Sequence, residues 1–202
     1  MNPIRIANIS PRQASHSVWI SDQIEDDYTV CGRPLQWDGF STAPETYPST
    51  FLSAPMAKKF PGYGRWRAVK ALEKSAPYDL IISHGPWTTA WTASFLRKTN
   101  SQTKHLAFAF NFTDLPTGLR HALMKYVFSR VDHFAIFTDA ESSLYQSTFD
   151  IPPDKFIRAP WGVKAPIESA LERKISEPYI VSLGGEARCY KTLCETAKLC
   201  PE

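Results

Sequence analysis

"YDLIISHG", residues 78–85, is an apolar block, Leu80-Ile81-Ile82, that runs into a histidine and a glycine. Runs of this length that are apolar throughout, rather than alternating, are typical of strands buried on both faces of a parallel sheet. The pattern recurs along the chain. "IRIANI" (4–9) precedes it, and "HLAFAFNF" (105–112), "DHFAIFT" (132–138), "KFIRAPWG" (155–162) and "EPYIVSLGG" (177–185) follow. Helical stretches lie between them. One covers 87–98. A second covers 116–130, where Leu119, Leu123 and Val127 recur at the spacing of one helix face. A third, 139–149, opens on Asp139 as its N-cap. Strand–helix–strand alternation predicts right-handed βαβ units, and so an α/β fold built on a Rossmann-like, doubly wound parallel sheet. The stretch 31–64, with five prolines, reads as mostly loop.

A chain of 202 residues has room for one well-buried domain and the start of another. With 43% hydrophobic and 21% charged residues it reads as globular rather than disordered. A net charge of +3 is too small to argue for nucleic acid, and none is expected as a partner. No stretch approaches the roughly 18 consecutive apolar residues of a membrane span. The opening "MNPIRIANISPRQ" lacks the apolar core of a signal peptide, so a cytoplasmic protein is expected. Cys31, Cys189, Cys194 and Cys200 form no CxxC pair, which predicts reduced thiols and no metal site. GxxxxGK, HExxH, GxGxxG and G-x-S-x-G are all absent, which weighs against P-loop, zinc-protease, dinucleotide-binding and hydrolase readings.

Several residues stand where chemistry would be placed. In open α/β sheets, ligands sit outside the carboxyl ends of the strands. His84, just before Gly85-Pro86, ends one predicted strand there; it is either a ligand contact or a histidine bonded to a neighbouring loop. Asn111 and Asp114, in "FNFTDLP", stand at the end of the next, although Asp114 also suits a turn before Pro116. Residues 58–74 carry six Lys and Arg against Glu73, with Tyr63 and Trp66 among them. That segment is either a peripheral contact with an anionic membrane surface or a solvated helix face that turns Trp66, Val69 and Leu72 inward. In "SLGGEARCYKTL" (182–193), Gly184 and Gly185 would let the backbone approach a phosphate at a helix N-terminus. Arg188 and Lys191 would add the cations.

The block "DKFIRAPWGVKAP" (154–166), a polar linker, and "YIVSLGGEARCYKTLCETAKLCP" (179–201) resembles the domain crossing of retaining GT-B glycosyltransferases, the glycosyl transferases group 1 family. The resemblance spans roughly 78–201. It implies an N-terminal Rossmann-like acceptor domain over 1–165, a linker at 166–176 with Gly162 at the hinge, and over 177–202 the start of a nucleotide-sugar domain. Arg188 and Lys191 would then be the catalytic pair that grips a UDP- or GDP-linked donor on the Gly184–Gly185 loop, with no metal and no separate cofactor. His84, Asn111 and Asp114 would face an unknown sugar or lipid acceptor. Trp161 replaces the asparagine of the family's P-N-G-V, and Asn111 stands where many relatives have a histidine. No two glutamates are eight positions apart, so the family's E-x7-E pair has no counterpart. The expectation is a glycosyltransferase-type protein that ends before that motif and is inactive alone. The competing expectation is a non-catalytic Rossmann-like module that binds an acceptor, a partner chain or a membrane surface.

Overall fold

The computed structural model describes residues 2–11, 28–43, 61–75, 77–159 and 190–199. The chain divides into two compact units, Met1–Gly162 and Val163–Glu202. The first contains β1 (Ile4–Ser10), β2 (Thr29–Val30), β3 (Arg33–Ser41), α1 (Pro61–Glu73), β4 (Leu80–His84), α2 (Pro86–Lys98) and β5 (Lys104–Phe108). It continues through α3 (Gly118–Phe128), β6 (His133–Ile136), α4 (Asp139–Phe149), a 3₁₀ turn (Pro153–Lys155) and β7 (Phe156–Arg158). In the second, the described residues form one helix, α5 (Tyr190–Leu199).

The seven strands among the described residues of the first unit make one sheet in the order β2-β3-β1-β4-β5-β6-β7. Every neighbouring pair is parallel except β2 and β3. This is a Rossmann-like α/β fold. From β1 the chain moves out to β3 and then returns to β4 on the other side, so the strand order reverses at β1. Such a reversal opens a crevice at the carboxyl ends of the strands.

Two apolar cores hold the helices to the sheet. Ala7, Ile9 and Ile81 of β1 and β4 pack against Ala68 and Leu72 of α1 and Leu96 of α2. The second core is aromatic. Phe110 is buried, with its ring centroid 4.8 Å from Phe134, 5.0 Å from Phe128 and 5.1 Å from Tyr145, all edge-on. Edge-to-face rings of this kind gain about 0.5–1.5 kcal/mol each beyond the area they bury. The amino edge of the sheet is tied by polar groups. The Arg5 guanidinium pairs with Asp38 at 3.0 Å and lies 4.7 Å above the Tyr78 ring, while the Tyr78 hydroxyl donates to Asp38 at 2.9 Å. Arg5 pairs in register with Gln36, so Asp38 is its diagonal neighbour, and this contact locks β3 on β1.

The structure corrects several expectations. Of the proline-rich stretch 31–64, expected to be mostly loop, the described residues 31–43 and 61–64 supply the nine-residue strand β3 and the start of α1, and residues 44–60 lie outside the described residues. In α3, Leu119 and Leu123 are exposed, and the buried side is Met124, Val127 and Phe128. The i, i+4, i+8 stripe therefore marks a solvent face at its first two members. The N-cap of α4 is Thr138, not Asp139. Its hydroxyl accepts from the Glu141 N–H, and the Glu141 carboxylate accepts from the Thr138 N–H in a capping box. The third strand ends at Phe108, short of the expected 112. In α1, Val69 and Leu72 are buried but Trp66 is exposed and stacks on Tyr63. The strand at 177–185 and the linker at 166–176 lie outside the described residues. Among those described, no helix is long and apolar enough to cross a membrane.

Phe110 sits at the hub of the aromatic core, so Phe110→Ala should destabilise the protein by about 3–5 kcal/mol in urea denaturation followed by circular dichroism.

Candidate functional site

The loop that leaves β5 shapes a cavity at the carboxyl edge of the sheet. "FAFNF", residues 108–112, places a phenylalanine at every second position. Phe110 sinks into the aromatic core and Phe112 packs on it, so Asn111 between them is left exposed. Ala109 adopts φ 49°, and the Asn111 N–H returns to the Ala109 carbonyl at 3.0 Å. The Phe112 N–H donates to the Tyr145 hydroxyl at 3.3 Å, which fastens the loop to α4. Burial raises the Tyr145 pKa, so the phenol stays protonated.

The resulting cavity, about 430 Å³, is lined by Asn111, Thr113 and Asp114 from this loop and by Trp87, Thr117 and Arg120 from the first turns of two helices. Both helices begin without a side-chain cap: α2 starts at Gly85 and Pro86, and α3 at Thr117. Gly85 has φ 78° and ψ 157°, a conformation essentially reserved for glycine, which turns β4 sharply into α2. Uncapped first turns leave N–H groups unsatisfied and carry the positive end of the helix dipole. The side chains of Asn111, Asp114 and Arg120 make no hydrogen bond or ion pair among the described residues. The cavity thus offers a cation, a carboxylate, an amide, two hydroxyls and an indole, a donor and acceptor set suited to a polyhydroxylated ligand.

His84 and Asn8 form a separate polar centre at the carboxyl end of the β1–β4 pairing. His84 Nε2 donates to Asn8 Oδ1 at 2.8 Å, and the His84 ring stands 5.2 Å from Phe108. Asn8 is fully buried, and its amide nitrogen has no hydrogen-bond partner among the described residues. The structure therefore brings Asn111 and Asp114 into one cavity and leaves His84 outside its lining. Lys191 lies on an exposed turn of α5, 3.9 Å from Glu195 one turn on. Gly162, Gly184, Gly185 and Arg188 lie outside the described residues. Among the described residues no cluster of His, Cys, Asp and Glu could hold a metal ion.

A second buried network links α2 to the sheet. His105 Nε2 bonds Ser83 Oγ at 2.8 Å, and Ser83 Oγ bonds Thr89 Oγ1 at 2.9 Å. A serine beside a histidine suggests a nucleophile, but both are buried, out of reach of any substrate. Burial, aided by the nearby Arg130, lowers the His105 pKa to about 3, so the ring is neutral and structural. Trp87, Arg120 and Asn8 carry no sequence motif. Trp87 directly follows "HGP" and Arg120 stands six residues beyond "NFTD", while Asn8 lies within the first apolar strand.

No family model matches the chain, and no curated protein matches it.

Two predictions follow from these contacts. Tyr145→Phe removes the hydroxyl that holds the Phe112 N–H and should cost about 1 kcal/mol in denaturant melts. His105 is neutral when folded but takes up a proton near pH 6.5 when unfolded. Stability should therefore fall as pH drops from about 6.5 toward about 3, by up to about 1.4 kcal/mol per unit. Denaturation at a series of pH values, with His105→Gln flattening the slope, checks the sign.

Proposed function

We propose that the chain is a glycosyltransferase-type protein with GT-B architecture, and that its first unit holds the acceptor in the cavity of Asn111, Asp114 and Arg120. The observation that carries this reading is that Asn111 and Asp114, chosen from strand ends, share one cavity with an exposed indole and an unpaired guanidinium. Sugars present vicinal hydroxyls and a flat C–H face. Carboxylate and amide side chains bond the hydroxyls, and a site built around such bonds rejects ligands that lack them. Trp87, 41% exposed, supplies the ring on which a sugar face packs.

In this reading Asp114 accepts a hydrogen bond from the acceptor hydroxyl and Asn111 fixes a neighbouring one. Arg120 and the first turns of α2 and α3 favour negative charge, which suits a phosphate on the acceptor or the donor. The donor, a UDP- or GDP-linked sugar, would be gripped by Gly184, Gly185, Arg188 and Lys191 across a hinge at Gly162. Such a grip stabilises charge on the departing diphosphate. No metal or cofactor enters the scheme.

Isothermal calorimetry with a panel of mono- and disaccharides, and with UDP- and GDP-sugars, tests this. Asp114→Asn and Trp87→Ala should each weaken saccharide binding by about tenfold or more, while Lys104→Ala at the opposite edge leaves it unchanged. Saccharide binding that ignores both cavity substitutions would contradict the assignment. Binding of an acceptor with no binding of any nucleotide-sugar would favour a non-catalytic module.

A further inference from the structure

Helices α1, α2 and α3 pack side by side. Their own residues are mostly basic: three Lys and Arg in α1, two in α2 and two in α3 against the single acid Glu73, with Lys70 paired to Glu73 and Lys125 to Asp150 beyond α4. Their outer face is also unusually apolar. Leu119 is 91% exposed, Leu123 61% and Tyr126 59%, and Trp66, Trp87 and Trp91 are all more than a third exposed. These are half of the large apolar side chains that the described residues leave in solvent, gathered on three adjoining helices.

The pieces adjoin. Gly62 at the start of α1 lies against the Trp91 ring. A groove of about 270 Å³ runs between α2 and α3 with Trp87, Trp91 and Leu123 on its walls, and apart from Ser94 and Arg120 its lining is apolar. At the far end the Arg97 guanidinium covers the Tyr126 ring at 4.0 Å.

We infer that this face docks on an anionic lipid bilayer. Tryptophan and tyrosine favour the headgroup level, leucines enter the acyl boundary, and Lys and Arg draw the surface to anionic lipid. A pocketed protein partner would suit the groove alone. Leu119 stands almost wholly in solvent, which fits entry into a continuous apolar phase. The cationic balance complements an anionic surface and opposes docking of a second copy of the same face. The inference goes beyond the saccharide reading and does not depend on it, because the two are measured separately.

The test is co-sedimentation with phosphatidylcholine vesicles, with and without phosphatidylglycerol, using the full chain. Leu119→Ser with Leu123→Ser removes the two most exposed leucines of this face without touching the buried side of α3, and melting curves confirm that the variant folds. The wild type should bind the anionic vesicles, bind neutral ones more weakly, and lose about tenfold or more of its partitioning in the double variant. Added salt should reduce binding without abolishing it, because only the cationic part is screened. No binding to anionic vesicles, or binding unchanged in the double variant, overturns the inference. So does a dimer in solution that the same substitutions dissolve, or retention by an oligonucleotide that displaces the vesicles.

Discussion

Parallel pairing of β1 on both edges, with β3 on one side and β4 on the other, is the constraint that organises the first unit. A strand paired on both edges and covered on its face must be apolar along most of its length, and Ala7 and Ile9 are fully buried. Parallel neighbours cannot be joined by hairpins, so each connection crosses over and delivers the next strand in the same direction. All six parallel strands thus end at one edge. The loops that leave that edge are the ones free to carry chemistry.

The two edges use their polar groups differently. At the amino edge Arg5, Asp38 and Tyr78 satisfy one another, and Asp132 is bonded by Lys104, Arg130 and the His105 N–H. Burial works against the Asp132 carboxylate, but Lys104 and that N–H still hold its pKa below the usual carboxylate value. Lys155 donates to the Ser129 and Val131 carbonyls just beyond the end of α3. These groups are consumed by structure. At the carboxyl edge Asn111, Asp114 and Arg120 keep their hydrogen-bonding capacity, while Phe110, Phe112 and Tyr145 hold the loop that presents them.

The parallel α/β fold was legible in the sequence because buried parallel strands are apolar throughout, and β1, β4, β5, β6 and β7 all show at least part of that pattern. β3 was hidden for a physical reason. It lies between β1 and the two-residue edge strand β2 and is only partly buried, so Pro34, Gln36 and Asp38 interrupt its apolar residues and read as loop. The α3 stripe misled because Leu119 and Leu123 obey helical spacing on the solvent side, and periodicity alone does not say which side faces the sheet. Asn111 and Asp114 were found because strand ends are visible. Trp87 and Arg120 were not, because they reach the cavity only through the packing of α2 beside α3.

The central claim is that the carboxyl edge, between β5, α2 and α3, is the ligand-binding end of the first unit. Crystals soaked with a panel of small saccharides test it most directly, because the opposite edge has its own cavity of about 380 Å³ among Lys104, Arg130, Asp132 and Lys155. Saccharide density is expected against Asn111, Asp114 and Trp87. Density confined to the amino-edge cavity would contradict it.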